Sequence, residues 1–380
     1  MKKRRLMLIG AGNLCLQVLK ILAPRNAFEF YVASRNQDNN VRLCNLVRLT
    51  SLQLGVDLKI NPLTIDLFDV DRTAQALHEI QPDIIFNCSS LQSWRRITEL
   101  PKPLFEELDQ AQFGPWLPMH LATMHHLMQA VRQANCGAIV VNSAFPDAVN
   151  PVLHQVGLSP HIGIGNVANL IPATRCAVAD QIAAPLADVQ VKLITQHYFS
   201  HFVPRGGLPD TAHFHLQCQV VGQDISNDID PAVIFDHVRG GYRRLGGIDG
   251  QFLTAASAVQ VLAHLFSPIP FYTHAPGPLG LPGGYPVRLQ EGVIQLDLPE
   301  SVSEAQAVEI NRLCQIQDGI ATIERDGTVE FGEKSMEVLA RMLGYSVKRM
   351  ALSDAHECAI ALGKAYQSFV GKTEKMWGTQ

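Results

Sequence analysis

The chain has 380 residues, 47% of them hydrophobic and 17% charged, a balance that supports a sizeable core and excludes a disordered chain. A formal net charge of −4 gives no electrostatic footprint for nucleic acid. The eight cysteines include no C-x-x-C pair, which argues against a zinc ribbon or disulfide framework and predicts reduced thiols.

The first element is LMLIGAGNLCLQVLKIL, Leu6 to Leu22. Leu6 to Ile9 is a short apolar run suited to a buried parallel strand. Gly10-Ala11-Gly12 makes a turn, and Leu14, Val18 and Leu22 recur at helical spacing. Gly10 permits the tight turn, Gly12 lets the backbone approach a pyrophosphate, and the helix from Asn13 and Leu14 offers free N–H groups to phosphate. Cys15 stands where a third glycine is expected and is small enough for close packing. This is the opening unit of a dinucleotide-binding Rossmann fold. Lys2, Lys3, Arg4 and Arg5 in front of it imitate a signal peptide, but Gly-Ala-Gly-Asn, Gln17 and Lys20 interrupt the apolar run. No later segment reaches about 18 uncharged apolar residues. The expectation is a soluble, cytoplasmic protein with no membrane contact.

Strand and helix patterns then alternate. Phe28 to Ser34 reads as a strand, Asn39 to Leu54 as a helix, Val56 to Asp66 as a further strand region and Asp71 to Ile80 as a helix. Asp83 to Asn87 reads as a strand and, after a long loop, Leu117 to Ala134 as a helix. Ala138 to Asn142 and His161 to Gly165 supply the last strands. Repeated β-α-β units predict a doubly wound parallel sheet over residues 1–165. Ser34-Arg35-Asn36 ends the second strand without a carboxylate, and a hydroxyl beside a guanidinium suits a 2′-phosphate, so NADP is favoured over NAD. Asp38 nearby leaves NAD open. Asp66 and Leu67 are expected at the adenine edge, Cys88, Ser89 and Ser90 along ribose and nicotinamide, and Asn142 and Ser143 beside the nicotinamide ring. No Tyr-x-x-x-Lys, Gly-x-Ser-x-Gly or His-Glu-x-x-His motif is present, which leaves short-chain dehydrogenases, serine hydrolases and zinc proteases without support.

The segment NSAFPDAVNPVLHQVGLSPHIGIGNVANLIPATR, Asn142 to Arg175, resembles the saccharopine dehydrogenase NADP-binding superfamily, as do Gly10-Ala11-Gly12 and Ala33-Ser34-Arg35. The matching pieces are Ser143-Ala144-Phe145-Pro146, then Gly163-Ile164-Gly165-Asn166, then the helix through Leu170. The chain departs from those reductases at Gly165-Asn166, where they carry an acidic residue. The resemblance covers roughly the first 180 residues. It implies a nicotinamide enzyme that reduces an imine or oxidises a secondary amine of an amino-acid-like substrate.

From about Asp180 the pattern changes. Residues 189–203 and 210–222 read as two long strands joined by PRGGLPD, and residues 288–298, 319–323 and 328–331 as further strand pieces. A mostly antiparallel α+β substrate and dimerisation domain is expected over 166–332. Helices over 333–344 and 354–369 then close a segment 333–380 that packs back on the first domain. His197, His201, His213 and His215 concentrate here. They suit a polar cleft with acid–base histidines, an exposed sheet face or, with only Asp210 as a nearby carboxylate, a metal; no metal is the expectation. Asp147, leaving the strand end through Phe145-Pro146, is expected to line the cleft with His197 and His201 as catalytic groups, and suits a helix N-cap equally. Phe145 is placed against substrate, and Arg205 is chosen to grip a substrate carboxylate. Arg239, Arg243 and Arg244 form a second basic candidate, and residues 274–288 a wall of the site or of a dimer interface. Three functions follow: an NADP-dependent oxidoreductase at a C–N bond, a homospermidine-synthase-like transferase using nicotinamide transiently, and a non-catalytic nucleotide sensor.

Overall fold

The structure, a computed structural model, describes residues 3–377. Met1, Lys2 of the basic cluster and residues 378–380 of the last segment lie outside the described residues. The first half alternates strand and helix: β1 (Arg4–Ile9), α1 (Asn13–Leu22), β2 (Phe28–Ser34), α2 (Gln37–Gln53), β3 (Ile60–Thr64), α3 (Val70–Ile80), β4 (Ile84–Asn87), α4 (Lys102–Asp109), α5 (Leu117–Gln133), β5 (Ile139–Asn142), α6 (Pro146–His154) and β6 (Ile162–Gly163). The six strands form one parallel sheet in the order β3-β2-β1-β4-β5-β6. The order reverses between β1 and β4, which opens a crevice beyond their carboxyl ends.

Alternation along the strands assigns two faces. Met7, Ile9, Ile85 and Val140 point into a core shared with α3, α5 and α6. Leu6, Leu8, Phe86 and Val141 point into a second core shared with α1 and α2. Both faces are buried, which explains the uninterrupted apolar runs of β1, β4 and β5.

The second half contains α7 (Val167–Ile182), β7 (Val189–Ile194), α8 (His197–Gly206), β8 (His215–Val220), β9 (Gln223–Asp224), α9 (Pro231–Gly241) and α10 (Gly247–His264). It continues with β10 (Phe271–Pro276), β11 (Gly284–Gln290), β12 (Val293–Leu296), α11 (Glu304–Gln317), β13 (Ile320–Ile323), β14 (Val329–Phe331), α12 (Glu333–Leu343), β15 (Arg349–Met350) and α13 (Ala355–Trp377). Three separate three-stranded antiparallel sheets result, β7-β8-β9, β10-β11-β12 and β13-β14-β15. The fold is thus α/β with a parallel six-stranded sheet and additional antiparallel sheets. α10 and the β10–β12 sheet pack into the α1 side of the first sheet, while α12 and α13 join the α5 side. Among the described residues no helix is long and apolar enough to cross a membrane.

The two strands expected over 189–203 and 210–222 do pair antiparallel, Val189 to Ile194 against His215 to Val220, but they are short and the expected long hairpin is interrupted by a helix. β7 ends at Ile194, and the aromatic stretch after it folds as α8. Its buried side chains, Phe199 and Val203, are four apart and seat one helical face in a third core with Ile234 and Phe235 of α9. β-branched and aromatic composition suggested a strand there, and packing at a spacing of four overrides it.

Candidate functional site

The crevice beyond β1, β2, β4 and β5 is a cleft of about 790 Å³. Gly10 to Leu14 form its floor. Gly10 has φ of +104°, and a Cβ there would lie 2.8 Å from the Ser89 amide nitrogen, so only glycine fits. A Cβ on Gly12 would meet nothing within 4 Å, and Gly12 caps α1 without any side-chain acceptor. The first N–H groups of α1 therefore face open space, which is the requirement for a pyrophosphate.

The cleft also reaches Ser34, Arg35 and Asn36 at the end of β2, Asp66 and Leu67 after β3, Cys88, Ser89 and Ser90 after β4, and Ser143 after β5. Asn36 caps α2, accepting from the Asn39 N–H at 3.0 Å, and Ser34 Oγ donates to the Asn36 carbonyl at 3.1 Å. Asp38 pairs with Arg42 at 3.0 Å and does not border the cleft. Asn142 is placed differently from expectation. It is fully buried beneath the cleft, where its side chain donates to Asn150 and the Ala144 carbonyl and accepts from Asn87 and the Ala144 N–H. It shapes the β5 turn and does not reach the cavity.

At the inner end stand Phe145 and His197. Phe145 sits in the left-handed region at φ +46°, a costly conformation for an aromatic residue, immediately before Pro146 starts α6. Its ring lies edge-on to Phe113, with centroids 4.4 Å apart, and Phe113 in turn covers the His197 ring at 4.4 Å. His197 Nδ1 is 3.1 Å from Oδ2 of Asp318, a carboxylate that is almost entirely buried. Nδ1–H donates to Asp318, which leaves Nε2 as the nitrogen without a protein partner among the described residues. Burial works against the imidazolium, but the charge and hydrogen bond of Asp318, with the charge of Asp147, outweigh it and raise the His197 pKa.

Asp147 does not line the cleft. It is wholly buried in the first turn of α6, yet it caps a different helix: Oδ1 accepts the His197 backbone N–H at 2.9 Å, and Oδ2 accepts from Asn166 Nδ2. Burial dominates its titration and pushes its pKa up to about 6. Asp147 thus positions His197 and is not a group that meets substrate. His201, one turn further along α8, stacks on His197 with ring centroids 5.6 Å apart, but its Nε2 contacts Asp109 at 3.3 Å and it does not border the cavity. Burial, then the charges of Arg205 and His197, hold its pKa well below the usual imidazole value. Arg205 bonds the same Asp109 at 3.1 Å and is half exposed outside the cleft, so it is not the grip for a substrate carboxylate. Besides Arg35 at the end of β2, the cleft is bordered by Arg95, paired with Glu99 at 2.9 Å. His215 opens β8 and His213 precedes it, and no group of three or more metal-ligating side chains occurs among the described residues.

Asp318, Phe113, Arg95 and the α10 residues Gln251 and Thr254 were missed in the sequence. Asp318 is 121 residues from His197, and only the Asp318-Gly319 turn after α11 marks it. A Cβ on Gly114 would lie 2.5 Å from the Asp318 carbonyl oxygen, so a glycine allows the Phe113-Gly114 turn to press against this carboxylate.

No protein-family model matches this chain, and no curated protein matches it in sequence. Similar solved structures include malate dehydrogenase from Plasmodium falciparum in complex with NADH, 13% identical, with a TM-score of 0.52 over 83% of this chain and 97% of that one. Malate dehydrogenase from Aeropyrum pernix is 12% identical, with a TM-score of 0.54 over 82% and 97%. Lactate dehydrogenase from Cryptosporidium parvum, complexed with lactic acid and β-nicotinamide adenine dinucleotide, is 14% identical, with a TM-score of 0.52 over 84% and 99%. At these identities the likeness is one of fold, and it spans nearly the whole of those chains.

Proposed function

We propose that the chain is an NADP-dependent oxidoreductase in which His197 holds the proton exchanged with the substrate heteroatom. The observation that carries this reading is the His197–Asp318 pair at the inner end of a cleft built for a dinucleotide. A bound nicotinamide supplies the hydride acceptor or donor. Gly10 to Leu14 hold the pyrophosphate. Ser34 and Arg35 hold a 2′-phosphate, since Asp38 is turned to Arg42 and away from the place where an NAD ribose would need it. Two of the solved structures with related folds hold NADH or NAD, so the NADP assignment rests on these side chains alone.

His197 Nε2 gives or takes a proton at the oxygen or nitrogen of the reacting carbon, while Asp318 fixes the tautomer and stabilises the imidazolium. Arg95 is the residue we assign to a substrate carboxylate. Such a dyad favours a carbonyl–alcohol pair, because a carbonyl needs its proton as hydride arrives, whereas a protonated imine already holds one. The crystallised lactate dehydrogenase with lactic acid as substrate points the same way. The C–N reading, with an amino-acid-like substrate, rests on the resemblance of residues 142–175 to the saccharopine dehydrogenase superfamily. NADPH consumption with 2-oxo acids, assayed with and without an added amino acid, decides between them. Turnover without amine supports the carbonyl reading, and an absolute requirement for amine supports the C–N reading. No turnover with nucleotide bound would leave a nucleotide-sensing protein.

A further inference from the structure

We infer that the chain carries a second ligand site, for a small organic carboxylate, in the cavity between α7, α10, β7 and β10. The cavity measures about 730 Å³ and shares no residue with the nucleotide cleft. Its key is His274 on β10, only 7% exposed and bordering the cavity. The Leu193 backbone N–H donates to His274 Nε2 at 3.1 Å. A nitrogen that accepts a hydrogen bond keeps its lone pair, so the proton of the neutral ring resides on Nδ1. Burial, then the nearby charge of Lys192, keeps the ring neutral, with a pKa pushed down to about 3. The Nδ1–H is left as a fixed donor with no protein partner among the described residues. That donor is open to the cavity, so it is available to an acceptor bound there.

The charges around it fix the ligand's sign. Lys192 pairs with Asp297 at 3.0 Å, which uses one of its three N–H groups. Arg175 spends Nε on the Val189 carbonyl and Nη2 on the Leu186 carbonyl, both at 2.9 Å, and Nη1 has no partner among the described residues. Two cations and one imidazole N–H thus border the cavity against a single carboxylate, and the surplus suits an oxyanion. Ile171 and Leu253 also border the cavity, which gives a hydrocarbon body somewhere to lie and favours an organic acid over an inorganic ion.

Calorimetric titration of the full-length protein with succinate tests this, with inorganic phosphate as the comparison. Succinate should bind saturably and more tightly than phosphate. Lys192→Met should weaken it by about tenfold, as for one lost charge-assisted contact. His197→Asn should leave it unchanged, because the nucleotide cleft is not involved. As a measurement free of mutation, the His274 Nδ1–H resonance should move on adding succinate. No succinate binding, binding indifferent to Lys192→Met, an unmoved His274 signal, or tighter phosphate would each overturn the assignment.

Discussion

Gly10 and Gly12 stand two residues apart and do different work, which makes them separable by experiment. Gly10→Ala forces a Cβ against the Ser89 backbone at positive φ, and we expect a loss of roughly 1–3 kcal/mol in stability. Gly12→Val enters open space, so unfolding should stay cooperative and shift by no more than about 1 kcal/mol. Nucleotide binding should nevertheless disappear; a Gly12→Val protein that binds NADP normally would take this turn out of the cofactor site. Arg35→Asp should weaken NADP by about 1–3 kcal/mol and affect NAD far less, an outcome that parallel titrations of both coenzymes will reveal. His197 makes a pH prediction. Carbonyl reduction needs the imidazolium, so kcat/KM should be flat at low pH and fall as pH rises through a His197 pKa above the ordinary value. Asp318→Asn removes the outweighing charge, leaves burial in control and should move that fall to lower pH. A profile that does not move would separate Asp318 from the proton.

At the level of elements, the start of α8 is tied to the end of β5 by a buried aspartate. Asp147 leaves β5 through the strained Phe145 turn and accepts the first N–H of α8, so the strand end and His197 are fixed by one carboxylate. Asp147→Ala should cost roughly 1–3 kcal/mol from an unsatisfied helix start and an orphaned Asn166 amide. It should lower kcat while leaving the NADP dissociation constant unchanged. A raised dissociation constant with unchanged kcat would show that Asp147 serves the nucleotide side instead. Arg205→Ala, by contrast, loses a half-exposed ion pair and should change stability by no more than about 1 kcal/mol without raising the substrate KM. These elements also mark how far the sequence could be read. The parallel sheet and the glycine turn were legible because strands buried on both faces impose uninterrupted apolar runs, and the helix after the turn imposes a period of 3.6. α8 was illegible as a helix, since His-Tyr-Phe-Ser-His-Phe satisfies strand composition and only tertiary packing of Phe199 and Val203 decides. Its partner Asp318 is marked only by the turn after α11, because a contact across 121 residues leaves no local trace of the pairing.

On the scale of the whole molecule, the open question is whether the divisions near residues 165 and 332 separate units that fold by themselves. Packing speaks to the last one. Met336 and Leu339 of α12 and Leu362 and Tyr366 of α13 are buried in the core that also holds Met7 and Ile9 of β1. Tyr366 lies edge-on to Trp116 with centroids 5.7 Å apart, and its hydroxyl donates to the Arg96 carbonyl at 2.8 Å, beside the cleft arginine Arg95. His356 stacks at 4.0 Å on Phe68, which borders the cleft near Asp66. Four such side chains contribute roughly 6–12 kcal/mol of burial, as much as the net stability of an ordinary domain. A chain ending at residue 332 should therefore lack a cooperative thermal transition and bind no nucleotide. The milder His356→Ala should remain folded and weaken nucleotide binding, because Phe68 loses its stacking support. If the shortened chain unfolds cooperatively and binds NADP as the full one does, α12 and α13 are an appended unit and the first core is complete without them.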